Sequence, residues 1–207
     1  MVADSRLTYT PLPDGWILLL RLLPSSNTNS AIQYELIDYA LPPSLKQTQL
    51  FEALSYVWRS PDNPRKVSIN GQELVVTPNL QAALTGLRDL VLDRVLWVDA
   101  ICINQEDVAE RGRQVRIMAF IYSCANRVTV WLGEESQDST SAIVIIHGPP
   151  SKPGLRTQES FVALQKRPWF RRVWLSQPLV LQEATAASHI SIICGGLKIV
   201  ATRSLPA

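Results

Sequence analysis

The sequence has few of the residues that usually hold metals or disulfides. Its 207 residues include three cysteines and two histidines. Cys102, Cys124 and Cys194 lie far apart and no CxxC pair occurs, which argues against a structural zinc site and against a secreted disulfide framework. We therefore expect no bound metal, and a reducing compartment such as the cytoplasm.

A charge excess and long apolar runs are also missing. The 20 basic and 18 acidic residues give a net charge of +2, so no electrostatic argument favours a nucleic-acid partner or a membrane surface. The apolar run at residues 16–23 contains Arg21 and is too short to span a bilayer. Neither GxGxxG nor GxxxxGK[ST] occurs. With 46% hydrophobic and 18% charged residues, the composition is typical of a globular protein.

Residues 1–50 have the least regular pattern, and we interpret them as an N-terminal extension with one or two strands. The candidate strands are residues 17–23 and 32–39, separated by the turn-rich residues 24–30. From residue 51 the pattern becomes sharper, and we place the main domain at residues 51–200.

The main domain has the pattern of an α/β fold. Residues 51–56, 95–99 and 127–132 are short apolar runs, which are typical of strands covered on both faces. A helical segment separates the last two runs, as in a βαβ unit. We therefore expect a mainly parallel sheet flanked by helices, in which the strands ending at Asp99 and Gly133 lie side by side.

Two hairpins and two helices complete this prediction. Residues 66–76 form a peripheral β-hairpin around Asn70-Gly71, a pair that accepts the positive φ angles of a type I′ turn. A helix begins after Thr77 and buries the stripe Leu80, Ala83, Leu84 and Leu87. A terminal hairpin spans residues 190–200.

The second helix is predicted to begin at residues 104–107, which resemble a capping box. The expected inner face of this helix consists of Val115, Met118, Tyr122 and Ala125. This helix connects the two candidate parallel strands.

Five different segments follow one another in a specific order. They are FEALSYVW (51–58), NLQAAL with LR (79–88), LWVDAICINQ and its continuation to EES (96–136), RPWFRRVW (167–174) and LQEATAA (181–187). This order and spacing resemble the heterokaryon-incompatibility (HET) domain of filamentous fungi. The sequence departs from the family at Arg59, where glycine is usual, and at residues 177–178, where Gln-Pro replaces Gln-Glu. Deleting residues 176–180 restores the family pattern, so we interpret them as a local insertion.

The resemblance implies a role in fungal self/non-self recognition and regulated cell death, through self-association or docking of a protein partner. HET domains are remotely similar to TIR domains, which implies a TIR-like or flavodoxin-like fold. In NAD-cleaving TIR domains a glutamate is catalytic. By this analogy Glu183 is the candidate catalytic residue and NAD the candidate substrate. A truncated, non-functional gene product is a third interpretation.

Five further residues are candidates for ligand binding. Asp99 ends a predicted strand, where ligand crevices form in open α/β sheets, although a loop-capping role is equally typical of aspartate. Asn104 and Gln105 would lie at a helix N-terminus that favours anions. Trp58 would stack on a nicotinamide or adenine ring or pack in the core, and Tyr56 would line the same cleft as Glu183.

Overall fold

The computed structural model describes residues 7–26, 32–44, 50–58, 62–135, 162, 166–170 and 189–202. The strands are β1 (Trp16–Leu22), β2 (Tyr34–Ala40), β3 (Glu52–Ser55), β4 (Arg65–Ile69), β5 (Gln72–Val76), β6 (Arg94–Trp97), β7 (Arg127–Trp131), β8 (His189–Cys194) and β9 (Leu197–Thr202). The helices are α1 (Pro78–Leu87), the single turn α2 (Asp99–Cys102) and α3 (Val108–Cys124).

All nine strands join one mixed sheet in the order β5-β4-β2-β1-β6-β3-β7-β8-β9. The α/β class is confirmed, but the expectation of a mainly parallel sheet is wrong. β6, β3, β7 and β8 are parallel to one another, whereas β1 is antiparallel to both of its neighbours and each end of the sheet is an antiparallel hairpin.

The strands β6 and β7, which were predicted to be neighbours, point in the same direction but do not pair with each other. β3 lies between β6 and β7, with Glu52 opposite Leu96 on one side and Arg127 on the other. Ala53 and Leu54 are 0% and 1% exposed, so β3 takes the most enclosed position in the parallel block. An apolar run indicates that a strand is covered on both faces but does not specify its lateral neighbours.

The N-terminal strands belong to this same sheet. β1 lies between β2 and β6, and Ile17, Leu19 and Leu20 are at most 1% exposed. The strand β6 ends at Trp97 rather than at Asp99, which begins the single turn α2.

Both predicted hairpins are confirmed. In the hairpin β4–β5, Ile69 pairs with Gln72 across a two-residue turn, and Asn70 and Gly71 have φ angles of 51° and 78°, as a type I′ turn requires. The hairpin β8–β9 turns at Gly195, whose φ is 55°.

The prediction for α1 is also confirmed. Thr77 caps the helix by accepting the Leu80 amide hydrogen at an N···O distance of 3.2 Å, and the buried residues are Leu80, Ala83, Leu84 and Leu87. This helix covers the face of the sheet that carries Trp131, whose ring would lie 3.1 Å from a Cβ atom placed on Gly86.

The helix α3 covers the opposite face of the sheet. Trp97 meets Tyr122 edge-to-face with ring centroids 5.5 Å apart, and the Tyr122 hydroxyl donates to the Leu54 carbonyl at 3.0 Å. Ala53 pairs with Trp97 on one side and with Val128 on the other, and Trp131 lies three residues after Val128. Since side chains alternate along a strand, Trp97 and Trp131 point to opposite faces of the sheet. The helices α1 and α3 therefore cover the parallel block from its two faces.

The start and inner face of α3 differ from the prediction. Asp107 is the N-cap, accepting the amide hydrogens of Ala109 and Glu110 at 2.9 and 3.0 Å. Tyr122 and Ala125 are buried and Met118 packs against the core, as predicted, but Val115 is 44% exposed. The other buried residues of the helix are Glu110, Gln114, Ile121 and Cys124. Two of these are polar side chains that the prediction did not place on the inner face.

Candidate functional site

The candidate site lies at the edge of the sheet where the parallel strands β3, β6, β7 and β8 end, which we call the carboxyl edge. Because β3 and β6 are parallel neighbours, the residues after them lie together. The Trp58 indole N–H donates to the Asp99 carboxylate, at 3.0 Å to Oδ2 and 3.3 Å to Oδ1. Asp99 Oδ1 also accepts the Ala100 amide hydrogen at 2.8 Å.

These contacts orient an exposed aromatic ring. Trp58 is 49% exposed, so half of its surface is available to a partner while its N–H is fixed by Asp99. A tryptophan held in one orientation loses little conformational entropy on binding. This geometry suits a docking contact, because tryptophan is enriched among the residues that dominate interface energies.

Gln105 lies against the same cluster, whereas the hydrogen bonds of Asn104 run to Glu106 and Glu110. The Gln105 side-chain amide donates to the Asp99 carbonyl at 2.8 Å and to the Ile103 carbonyl at 3.3 Å. Asn104 Oδ1 accepts the Glu106 amide hydrogen at 3.1 Å, and the Asn104 amide donates to Glu110 at 3.2 Å. Both side chains hold the loop before α3 in place, and the prediction that they form the helix N-terminus is wrong.

The remaining predicted site residues are placed differently. Tyr56 follows β3 and is only 3% exposed, which leaves little of its surface for a ligand. Glu183, and with it the predicted insertion at 176–180, lies outside the described residues. The structure thus brings together Trp58, Asp99 and Gln105, and their roles in ligand binding stay predictions.

A cleft of about 980 Å³ opens at the carboxyl edge on the α1 side. Its lining among the described residues includes Asp62, Arg65, Asn79, Trp131, Glu134 and Arg167. Asn79 supports one wall by donating to the Val57 carbonyl at 2.8 Å and accepting the Trp131 indole N–H at 3.3 Å. Arg167 donates to the Glu134 carbonyl at 3.0 Å. Two carboxylates and two guanidiniums in one wall give the cleft a mixed charge.

A partly buried ion pair on the α1 face was missed from the sequence. The Glu52 carboxylate accepts from Arg94 Nη2 at 2.6 Å and from the Thr129 hydroxyl at 2.7 Å. Arg94 also donates to the Leu87 carbonyl at the end of α1, at 2.9 Å. A charged residue within the apolar run 51–58 was the available signal, because a glutamate in a covered strand needs a partner.

Burial raises the pKa of the Cys102 thiol and of the Tyr34 and Tyr9 hydroxyls. Burial raises the pKa of the Cys102 thiol to about 12, and it raises that of Tyr34 to about 12 as well. Tyr9 has its pKa raised by burial, and its hydroxyl donates to the Ile101 carbonyl at 2.9 Å. All three cysteines are buried and free, so the thiols act as small apolar side chains.

The described residues carry neither a metal-ligand cluster nor a membrane-spanning helix. Within them, no group of three or more histidine, cysteine, aspartate or glutamate side chains is placed to hold a metal ion. No helix in that part of the chain is long and apolar enough to cross a membrane.

Comparison with known proteins identifies the family. No solved structure matches the chain. Heterokaryon incompatibility protein 6, OR allele, of Neurospora crassa is 39% identical over 111 residues, a match that covers 47% of this chain and 15% of that protein. The chain thus spans a small part of the relative's length. The family model described as heterokaryon incompatibility protein (HET) matches residues 51–178, more than half of the chain. The chain belongs to the heterokaryon incompatibility (HET) family.

Proposed function

We propose that this chain acts in fungal heterokaryon incompatibility, and that its carboxyl edge docks a protein partner or a second copy to trigger cell death. The family match over residues 51–178 carries the proposal. The similarity to an incompatibility protein of Neurospora crassa supports it. This role would make the domain a switch that responds to contact with a protein.

The exposed ring of Trp58 is the anchor that we assign to this docking. Its N–H is held by Asp99 at 3.0 Å, while 49% of the residue is exposed. The carboxylate is itself positioned by the Ala100 amide hydrogen. Such an arrangement supports recognition of a surface, because a pre-oriented aromatic side chain buries a large area without a further loss of rotamer freedom.

Expression in living cells tests the proposal. The chain is expressed from an inducible promoter in a panel of fungal strains that differ at their incompatibility loci, and viability is scored with a vital dye. We expect cell death in at least one strain, and its loss in the variant Trp58→Ala. The matched control is Val91→Ala, because Val91 is 77% exposed at the opposite edge, just before β6. Full viability in every strain would contradict the proposal.

A second candidate function is cleavage of NAD with Glu183 as the catalytic carboxylate. The observation that favours it is the cleft of about 980 Å³ at the carboxyl edge, a volume typical of small-molecule sites. A carboxylate beside the ribose would stabilise the oxocarbenium-like transition state of nicotinamide release. Purified protein incubated with NAD, followed by chromatography of nicotinamide, tests it. Turnover that Glu183→Gln abolishes without unfolding the protein would favour this enzyme.

A further inference from the structure

A second, smaller cleft lies between α3 and the loop that leads into β1. Its volume is about 280 Å³. One wall is the loop with Leu12, Pro13 and Trp16, and the other is the helix with Arg113, Gln114 and Arg116. The register of β1 with β6, in which Leu20 faces Leu96, places this loop at the carboxyl edge. The cleft therefore opens on the same edge as Trp58.

Gln114, one of the residues that line the cleft, has a buried hydrogen-bond acceptor without a partner among the described residues. Gln114 is 4% exposed, and its side-chain amide donates to the Trp16 carbonyl at 3.1 Å. A carbonyl only accepts, so the amide nitrogen must face Trp16 and the orientation of the amide is settled. Its other polar atom, Oε1, is buried and has no hydrogen-bond partner in the part of the chain that the structure describes. A buried polar atom left unpaired costs free energy, which an N–H donor that reaches this oxygen from the cleft would recover.

Two arginines line the same cleft as Gln114. Arg113 and Arg116 both line the cleft, and no ion pair within the described residues involves either of them. Asp14 is the one carboxylate among the described residues that line the cleft, and together with the two arginines these residues give it a net positive charge. Guanidiniums bind carboxylates with paired, charge-assisted hydrogen bonds.

Part of the cleft lining is apolar. Leu12, Pro13, Trp16 and Ile117 contribute this part, and Trp16 is 38% exposed. A ligand that satisfies the whole cleft needs an apolar group, an N–H donor and a negative charge close together. A peptide with an apolar residue beside acidic ones has all three, whereas a free phosphate has no apolar group and would bring its oxygens toward the Gln114 oxygen.

We propose that the cleft between α3 and the loop before β1 binds an acidic peptide segment of a protein partner. The apolar side chain packs on Trp16, a backbone N–H donates to Gln114 Oε1, and carboxylates pair with Arg113 and Arg116. This inference rests on the proposed function, because it gives the chemistry of the partner that docks at the carboxyl edge.

Binding of synthetic peptides to the purified full chain tests the inference. The probes are dye-labelled peptides with a central leucine, phenylalanine or tryptophan, flanked by glutamates or, as matched controls, by glutamines. Fluorescence anisotropy is expected to show binding of the glutamate peptides that weakens as salt is raised from about 0.05 M to about 0.5 M. In the variant Arg113→Gln/Arg116→Gln, the dissociation constant should rise about tenfold, since two charge-assisted contacts are lost.

Two controls separate this site from general charge attraction. Arg111→Gln removes one positive charge from the same helix outside the cleft, where Arg111 donates to the Gln105 carbonyl at 3.0 Å. It should leave binding within about twofold of wild type, whereas Arg113→Gln and Arg116→Gln should each weaken binding more than that. Methylating the peptide nitrogens at and after the central residue removes the donor for Gln114 without altering the protein. This change should weaken binding severalfold.

Three results would overturn the inference: no glutamate peptide binds, glutamate and glutamine peptides bind equally, or Arg111→Gln weakens binding as much as the double variant. Failure of the proposed function is a separate result. If peptides bind as expected but expression kills no strain, the cleft is a peptide site and the incompatibility role is wrong. If expression kills cells equally with and without Arg113 and Arg116, the role stands and the cleft is not where the partner docks.

Discussion

Removal of the Glu52 carboxylate is expected to destabilise the parallel block of the sheet. Glu52 lies in β3 at the centre of the parallel block and accepts hydrogen bonds from Arg94 and from Thr129 at 2.6 and 2.7 Å. The side chains of Arg94 and Glu52 are 17% and 18% exposed. In Glu52→Ala the Arg94 guanidinium would stay in a poorly solvated position without its counter-ion.

The magnitude follows from these contacts. Breaking a buried ion pair by removing one partner costs about 3–5 kcal/mol, and the partial exposure of both groups favours the lower end of that range. The Thr129 hydroxyl also loses its acceptor, at a cost of about 1 kcal/mol. Against this, Arg94 keeps its bond to the Leu87 carbonyl at 2.9 Å. We therefore expect Glu52→Ala to lower the free energy of unfolding by about 3 kcal/mol.

Urea denaturation followed by circular dichroism measures this change, and a double-mutant cycle isolates its cause. In Glu52→Met/Arg94→Met both charges are gone. The free energy of unfolding lost in this double variant should therefore be smaller, by about 2 kcal/mol, than the sum of the losses in Glu52→Met and in Arg94→Met. A loss below about 0.5 kcal/mol for Glu52→Ala, or additive losses in the cycle, would refute the assignment of a coupled buried pair.

Three further predictions concern the helix cap, a turn and alkaline pH. Asp107→Ala should cost about 1 kcal/mol in urea denaturation, because two α3 amide hydrogens lose their acceptor; an unchanged midpoint would contradict the cap. Gly195→Ala should destabilise more than Gly71→Ala, because a Cβ at Gly195 would lie 2.9 Å from the Glu135 backbone nitrogen, whereas at Gly71 it meets nothing within 4 Å; equal melting temperatures would count against the close approach. Since burial raises the pKa of Tyr34 to about 12, the unfolded chain ionises first, and the stability from this tyrosine should be full below pH 10 and fall as the pH rises through about 12. Tyr34→Phe should make this loss shallower, and an unchanged pH profile would exclude Tyr34 as its cause.

Local patterns predicted local structure well. The Asn70-Gly71 turn, the Thr77 cap and the buried stripe of α1 all follow from dihedral preference and helical periodicity, which depend on neighbouring residues only. Strand positions followed from apolar runs in the same way. The motif pattern was specific enough to indicate the family, because it depends on the order of residues and not on their arrangement in space.

Features set by distant contacts were not predictable. The position of β3 between β6 and β7 depends on which strands pair across the sheet, and an apolar run carries no record of its neighbour. Gln114 is buried because the Trp16 carbonyl, 98 residues away in sequence, accepts its N–H. The contact between Trp58 and Asp99 was not predicted, and it arises because β3 and β6 are adjacent and parallel.

The most direct test of the proposed docking compares substitutions at the two edges of the sheet in one viability measurement. In a strain that the wild-type chain kills, the triple variant Trp58→Ala/Arg113→Gln/Arg116→Gln removes exposed groups from the carboxyl edge. The variant Leu90→Ser/Val91→Ser/Leu92→Ser removes three side chains that are 57–77% exposed at the opposite edge. The account predicts survival with the first variant and death with the second, at equal amounts of folded protein. Death with the first and survival with the second would contradict it.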